Sequence, residues 1–109
     1  MIYSIEELKN KINPVAEKYE LPVVYLFGSY ARNEADDNSD VDILIDRSGS
    51  KIHSMFDMGA LYSDLRDSIG KEIDLVTTQT LDQKSTFKRT PWFVDNLNRD
   101  RVKIYEQRR

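Results

Sequence analysis

The chain of 109 residues contains no cysteine, which excludes disulfides, thiolate nucleophiles and zinc–thiolate centres and fits any redox compartment. It has one tryptophan and a single histidine, His53. No apolar run approaches the ~20 residues needed to span a bilayer. The opening "MIYSIEELKN" is acidic and lacks the basic, then apolar, pattern of a secretory signal, so a cytoplasmic protein is expected. Nor is there an internal repeat, a low-complexity tract or a linker. Residues 1–109 read as one domain with a modest core.

Charged residues make up 32% and apolar residues 39%, normal to slightly polar for a globular domain. The formal charge of −3 hides an asymmetry. Residues 1–83 carry 8 basic and 16 acidic side chains, and residues 84–109 carry 8 basic and 3 acidic ones. The basic tail suits either phosphates or an acidic partner surface, and equally a solvated helix face balancing an acidic body.

Ser4 and Glu7 form a capping box that starts a helix near Ile5. Pro14 should end that helix, with Asn13 capping a second short one through about Glu20. "PVVYLF" (Pro22 to Phe27) reads as a buried strand. "VDILID" alternates, with Asp40, Asp42, Leu44 and Asp46 on one face and Val41, Ile43 and Ile45 on the other. Met58, Leu61, Leu65 and Ile69, with Tyr62 alongside, follow helical spacing, and Gly70 caps that helix. "KEIDLVTT" is a third strand with Asp74 and Val76 on one face. One or two helices are expected across Leu81 to Asn98, and "VKIYE" is an edge strand or a helix end. The fold class is α/β (α+β), a small mixed sheet with helices packed against it.

Chemistry concentrates between Leu26 and Asp46, "LFGSYARNEADDNSDVDILID". Gly28-Ser29 sits where a strand passes into a helix, a place where outward backbone N–H groups and a missing Cβ suit a phosphate. Asp40 and Asp42 leave one face of the next strand, and Asp74 on the third strand is set to pair beside them. Carboxylates crowded in an apolar setting repel unless a cation sits between them. Oxygen-only ligands beside a phosphate cradle suit Mg²⁺, and two such ions clamp the attacking and leaving oxygens of a phosphoryl displacement.

Gly28-Ser29, ten residues and then Asp40-x-Asp42 resemble the GSx10DxD signature of nucleotidyltransferases with a DNA polymerase β-like catalytic domain. At average residue usage that pattern arises by chance in on the order of one chain per thousand. With "SDVDILID" and "KEIDLVT" following, the chain resembles the minimal nucleotidyltransferase (MNT) proteins over roughly Leu8 to Tyr105. The resemblance implies the polymerase β-like nucleotidyltransferase fold. It also implies two Mg²⁺ ions on Asp40 and Asp42, with Asp74 ligating the catalytic one and helping to deprotonate the acceptor hydroxyl. Gly28 and Ser29 would hold the β- and γ-phosphates of ATP. Arg32 is a candidate for nucleotide or partner contact, with a surface ion pair as its alternative. Many MNT proteins are antitoxins of HEPN-domain toxins and transfer AMP to a toxin tyrosine, so the implied activity is protein adenylylation within a hetero-oligomer. Transfer to a small molecule, as in aminoglycoside nucleotidyltransferases, and a non-catalytic antitoxin that only covers its partner are the alternatives; neither membrane nor direct nucleic-acid binding is expected. Asn33 stands where many relatives have glycine, and asparagine tolerates the left-handed backbone the turn needs. His53 is expected to decorate a helix start, Asp46 to lie outside the site, and Trp92, Phe93 and Tyr105 to serve core or interface.

Overall fold

The computed structural model describes residues 2–78 and 101–107. Among these described residues three helices, α1 (Ile5–Lys18), α2 (Gly28–Ala31) and α3 (Met55–Ile69), accompany four strands, β1 (Val23–Phe27), β2 (Val41–Asp46), β3 (Ile73–Thr77) and β4 (Val102–Glu106). The sheet order is β3-β2-β1-β4, with β2 and β3 parallel and β1 antiparallel to both β2 and β4. The parallel pair needs a crossover, and α3 supplies it. The mixed sheet with helices against it is the architecture expected, and "VKIYE" is an edge strand within the described sheet. The helices expected across Leu81 to Asn98 lie outside the described residues.

The alternation of β2 decides the layering. Val41, Ile43 and Ile45 face α1 and α3, joining Leu8, Ile12, Leu61 and Leu65 in the main core. Leu44 turns to the opposite face and packs with Phe27 and Val76 in a second, smaller cluster. Both faces of β2 are therefore apolar at their centres, and its polar residues are confined to the ends. Leu61, Leu65 and Ile69 bury one stripe of α3, but Tyr62 is exposed rather than packed beside them. Ser54 caps the start of α3, and Gly70 closes its end at φ +75°.

One expectation fails at Pro14. The capping box is present, with Ser4 Oγ accepting from Glu7 N and Glu7 Oε1 from Ser4 N, each at 3.0 Å. The helix it starts then runs unbroken through Pro14 to Lys18. Proline removes one backbone donor and crowds the preceding turn, at ~3 kcal/mol. Against that, Leu8 and Ile12 before it and Val15 and Ala16 after it form one buried stripe that a break would split. Packing wins because Pro14 itself lies on the exposed side. Asn13 does not cap a new helix; oriented to donate, its amide reaches Lys9 O at 3.1 Å and Ile104 O at 3.3 Å, tying α1 to β4. Pro14→Ala should restore the missing helix hydrogen bond and raise stability by about 1–2 kcal/mol after the unfolded chain's gain in freedom, read as an increased urea midpoint.

Candidate active site

The site lies at the end of the sheet where β1 finishes and β2 and β3 begin. Phe27 is still extended, at φ −139° and ψ −174°, and the chain then turns at Gly28 with φ +70° into the single turn of α2. In the antiparallel register Phe27 faces Asp42, which brings the Asp42 side chain against Gly28. A Cβ at position 28 would lie 2.0 Å from Asp42 Oδ2 and 3.0 Å from its carboxyl carbon. Only glycine leaves room for this carboxylate, and only glycine adopts that backbone without strain.

The connection back to β2 is held by its own hydrogen bonds. Arg32 N donates to Gly28 O at 3.1 Å, and Glu34 N donates to Ser29 O at 2.8 Å. Asn33 has φ +59°, the left-handed turn that asparagine was expected to sustain. Further on, the Asp36 carboxylate accepts from Asn38 N at 2.9 Å, and Asp36 N donates to Ser39 Oγ at 2.9 Å. This acid-rich loop delivers Asp40 just outside the start of β2.

Asp42 and Asp74 are direct partners in the parallel β2–β3 register. Asp40 and Asp74 are exposed and Asp42 is half-buried. Burial, followed by repulsion from Asp74 and then Asp40, pushes the Asp42 carboxyl up to about 6, with Arg32 acting against the rise. The neighbours thus disfavour the ionised form of Asp42 while no cation is bound, a repulsion that a hard cation among the three carboxylates would relieve. The side chains do not form a closed cage: among the described residues no group of three or more His, Cys, Asp or Glu is arranged to hold a metal ion. The donor set still fits Mg²⁺, because that ion retains waters and takes only a few carboxylates together with substrate phosphates.

Arg32 makes the surface ion pair, Nε to Glu34 Oε2 at 3.0 Å, with both side chains substantially exposed. His53 is exposed, and its backbone N–H donates to Asp57 Oδ2 at 2.8 Å at the start of α3. Asp46 closes β2 at its other end, accepting from Ser48 N at 2.8 Å. Tyr105 packs partly buried against the main core, while Trp92 and Phe93 lie outside the described residues. Two neighbours of the site carry no sequence signal. Tyr30, buried in α2, accepts a hydrogen bond through its hydroxyl from Lys71, 41 residues away. No helix among the described residues is long and apolar enough to cross a membrane.

A mixed four-stranded sheet with a Gly-Ser turn and an Asp-x-Asp strand start at one end defines a nucleotidyltransferase, and comparison with known proteins agrees. Residues 10–90 match the polymerase beta nucleotidyltransferase family. A Methanocaldococcus jannaschii protein named as a protein adenylyltransferase is 38% identical over 78 residues, which is 72% of this chain and 82% of that protein. The protein adenylyltransferase MntA of Thermococcus cleftensis is 37% identical over 65 residues, covering 60% of this chain and 64% of its own. Among solved structures, a toxin–antitoxin complex with AMP-PNP aligns at a TM-score of 0.67 and 20% identity, over 92% of this chain and 74% of that one. An AMPylated Shewanella oneidensis HEPN toxin in complex with an MNT antitoxin aligns at 0.62 and 17%, over 94% and 73%. The chain belongs to the polymerase β-like nucleotidyltransferase family.

Proposed function

We propose that this protein is a cytoplasmic, Mg²⁺-dependent adenylyltransferase that moves AMP from ATP to a hydroxyl of a protein partner, and that the partner is a HEPN-type toxin which it neutralises. The observation that carries this reading is the packing of the Asp42 carboxylate on the bare Cα of Gly28. It joins the turn suited to the triphosphate and the acidic strand ends into one site. The M. jannaschii and T. cleftensis relatives named as protein adenylyltransferases support the protein acceptor, and the toxin–antitoxin neighbours support the partner.

In this reading Gly28 N–H and the Ser29 hydroxyl hold the β- and γ-phosphates, and Arg32 exchanges its pairing with Glu34 for a phosphate. Asp40 and Asp42 would hold two Mg²⁺ ions and Asp74 one of them, and those ions would neutralise charge on the phosphates and on the departing pyrophosphate. The acceptor oxygen forms a bond to the α-phosphorus, the bond from that phosphorus to the β-phosphate oxygen breaks, and pyrophosphate leaves. Asp74, exposed at the strand start, accepts the hydroxyl proton.

The test is label transfer from α-labelled ATP with Mg²⁺ into a host lysate and into a co-expressed neighbouring toxin, beside the Asp40→Asn/Asp42→Asn variant. A labelled protein band with the intact chain alone is expected. Neutralisation of the toxin by the double variant as well as by the intact chain would instead establish inhibition by covering.

A further inference from the structure

The three parts of the proposed site come from three stretches of chain at one end of the sheet, where the β1–β2 and β2–β3 ladders begin or end. Gly28-Ser29 belongs to the β1–α2 turn, Asp40 ends the acid-rich loop, and Asp74 sits near the start of β3. Lys71 touches or belongs to all three. It stands three residues before Asp74, between the end of α3 and β3. Its Nζ donates to Tyr30 Oη at 2.9 Å and lies 5.3 Å from the centre of that ring. The same ammonium reaches the Asp37 backbone carbonyl at 3.4 Å. Tyr30 is only 3% exposed and belongs to the main core, so the group Lys71 grips is itself fixed. The backbone bond from Val41 N to Glu72 O, at 3.1 Å, completes the junction on the β2 side.

We infer that Lys71 is a positioning residue, whose ammonium holds the phosphate turn, the acid-rich loop and the start of β3 in mutual register. This rests on the nucleotidyl-transfer reading of the site for its catalytic consequence, and on geometry alone for the register. A cation serves here where an apolar residue would not. It bonds a phenol oxygen and a peptide carbonyl at once, with the ammonium 5.3 Å from the centre of the ring. Loss of such alignment reduces the chemical step far more than binding, because a displacement of ~1 Å between reacting groups costs about 10²-fold in rate.

The experiment compares Lys71→Met, Lys71→Arg and Tyr30→Phe with the intact protein. Amide hydrogen exchange needs no turnover. In Lys71→Met the amides of Glu34, Ser39 and Val41 should exchange about tenfold faster or more, with those of the β1–β2 ladder unchanged. Transfer from ATP should fall in kcat by about 10- to 100-fold, with KM for Mg·ATP within about threefold. Lys71→Arg should restore most of the rate, and Tyr30→Phe, which removes the hydroxyl and keeps the ring, should lose part of it. Unchanged exchange in Lys71→Met overturns the inference, and so does a rate loss that is confined to KM or that Lys71→Arg does not recover. An intact protein that transfers nothing would sink the functional reading instead, leaving the exchange comparison to decide the register by itself.

Discussion

Gly28→Ala should abolish most nucleotidyl transfer, by about 10²- to 10³-fold, while lowering the melting temperature by several degrees. Two effects act together. The left-handed backbone at φ +70° costs an alanine about 1 kcal/mol or more. The new methyl would also sit 2.0 Å from Asp42 Oδ2, so the carboxylate must swing away. Because Asp42 ends in a flexible carboxyl group, the side chain yields more readily than the strand, and the stability loss stays near 1–2 kcal/mol. For a domain of this size that is roughly 4–8 °C per kcal/mol. The activity loss is larger because the displaced group is the one proposed to hold both cations. A double-substitution cycle separates the causes. In an Asp42→Ala background Gly28→Ala should cost only the backbone term, and the coupling between the two positions should be at least 0.5 kcal/mol. Full transfer by Gly28→Ala would remove the packing on which the proposed site rests.

Much of this arrangement was legible in the sequence, and the reasons differ by element. The strand faces were readable because period-two alternation leaves Asp42 and Leu44 no other side, and the parallel partner Asp74 followed from the same alternation in β3. The left-handed Asn33 was legible from residue chemistry alone. The continuous α1 was not, because the local rule for Pro14 is opposed by a buried stripe whose partners lie on β2 and α3, far along the chain. The reason for glycine at position 28 was only half visible. The close approach that a missing Cβ allows was visible, but its left-handed backbone was not anticipated, and the Asp42 oxygen in the place of a Cβ is a tertiary contact across 14 residues. Tyr30 and Lys71 were invisible for the same reason: a lysine after a helix-capping glycine reads as an ordinary surface cation until the register brings a phenol beneath it.

Asp42→Asn should lose transfer by at least about 10³-fold and, in the absence of divalent cations, gain stability. The sign follows from the direction of the pKa shift. In the unfolded chain an aspartate titrates near 4, whereas in the folded protein Asp42 is raised to about 6, chiefly by burial and then by Asp74 and Asp40. Below pH 4 the group is protonated in both states and adds no penalty. Between pH 4 and 6 the folded state binds more protons than the unfolded one, so stability falls as pH rises and levels off above the folded value. Asparagine does not titrate, so the advantage of the variant should be smallest near pH 4 and grow to a plateau above about pH 7. A shift of two units corresponds to ~3 kcal/mol, but Asp42 is only half-buried and solvent screening reduces this to about 1 kcal/mol. Millimolar Mg²⁺ should reverse the order, since a cation bound to the ionised carboxylates stabilises the intact protein by mass action and has lost a ligand in the variant. Melting curves at pH 4.5 and 7.5, with Mg²⁺ and with chelator, check all four corners. A variant no more stable than the intact protein at pH 7.5 in chelator would show that neither burial nor the neighbouring carboxylates penalise the ionised Asp42, and the electrostatic case for a cation site there would fall with it.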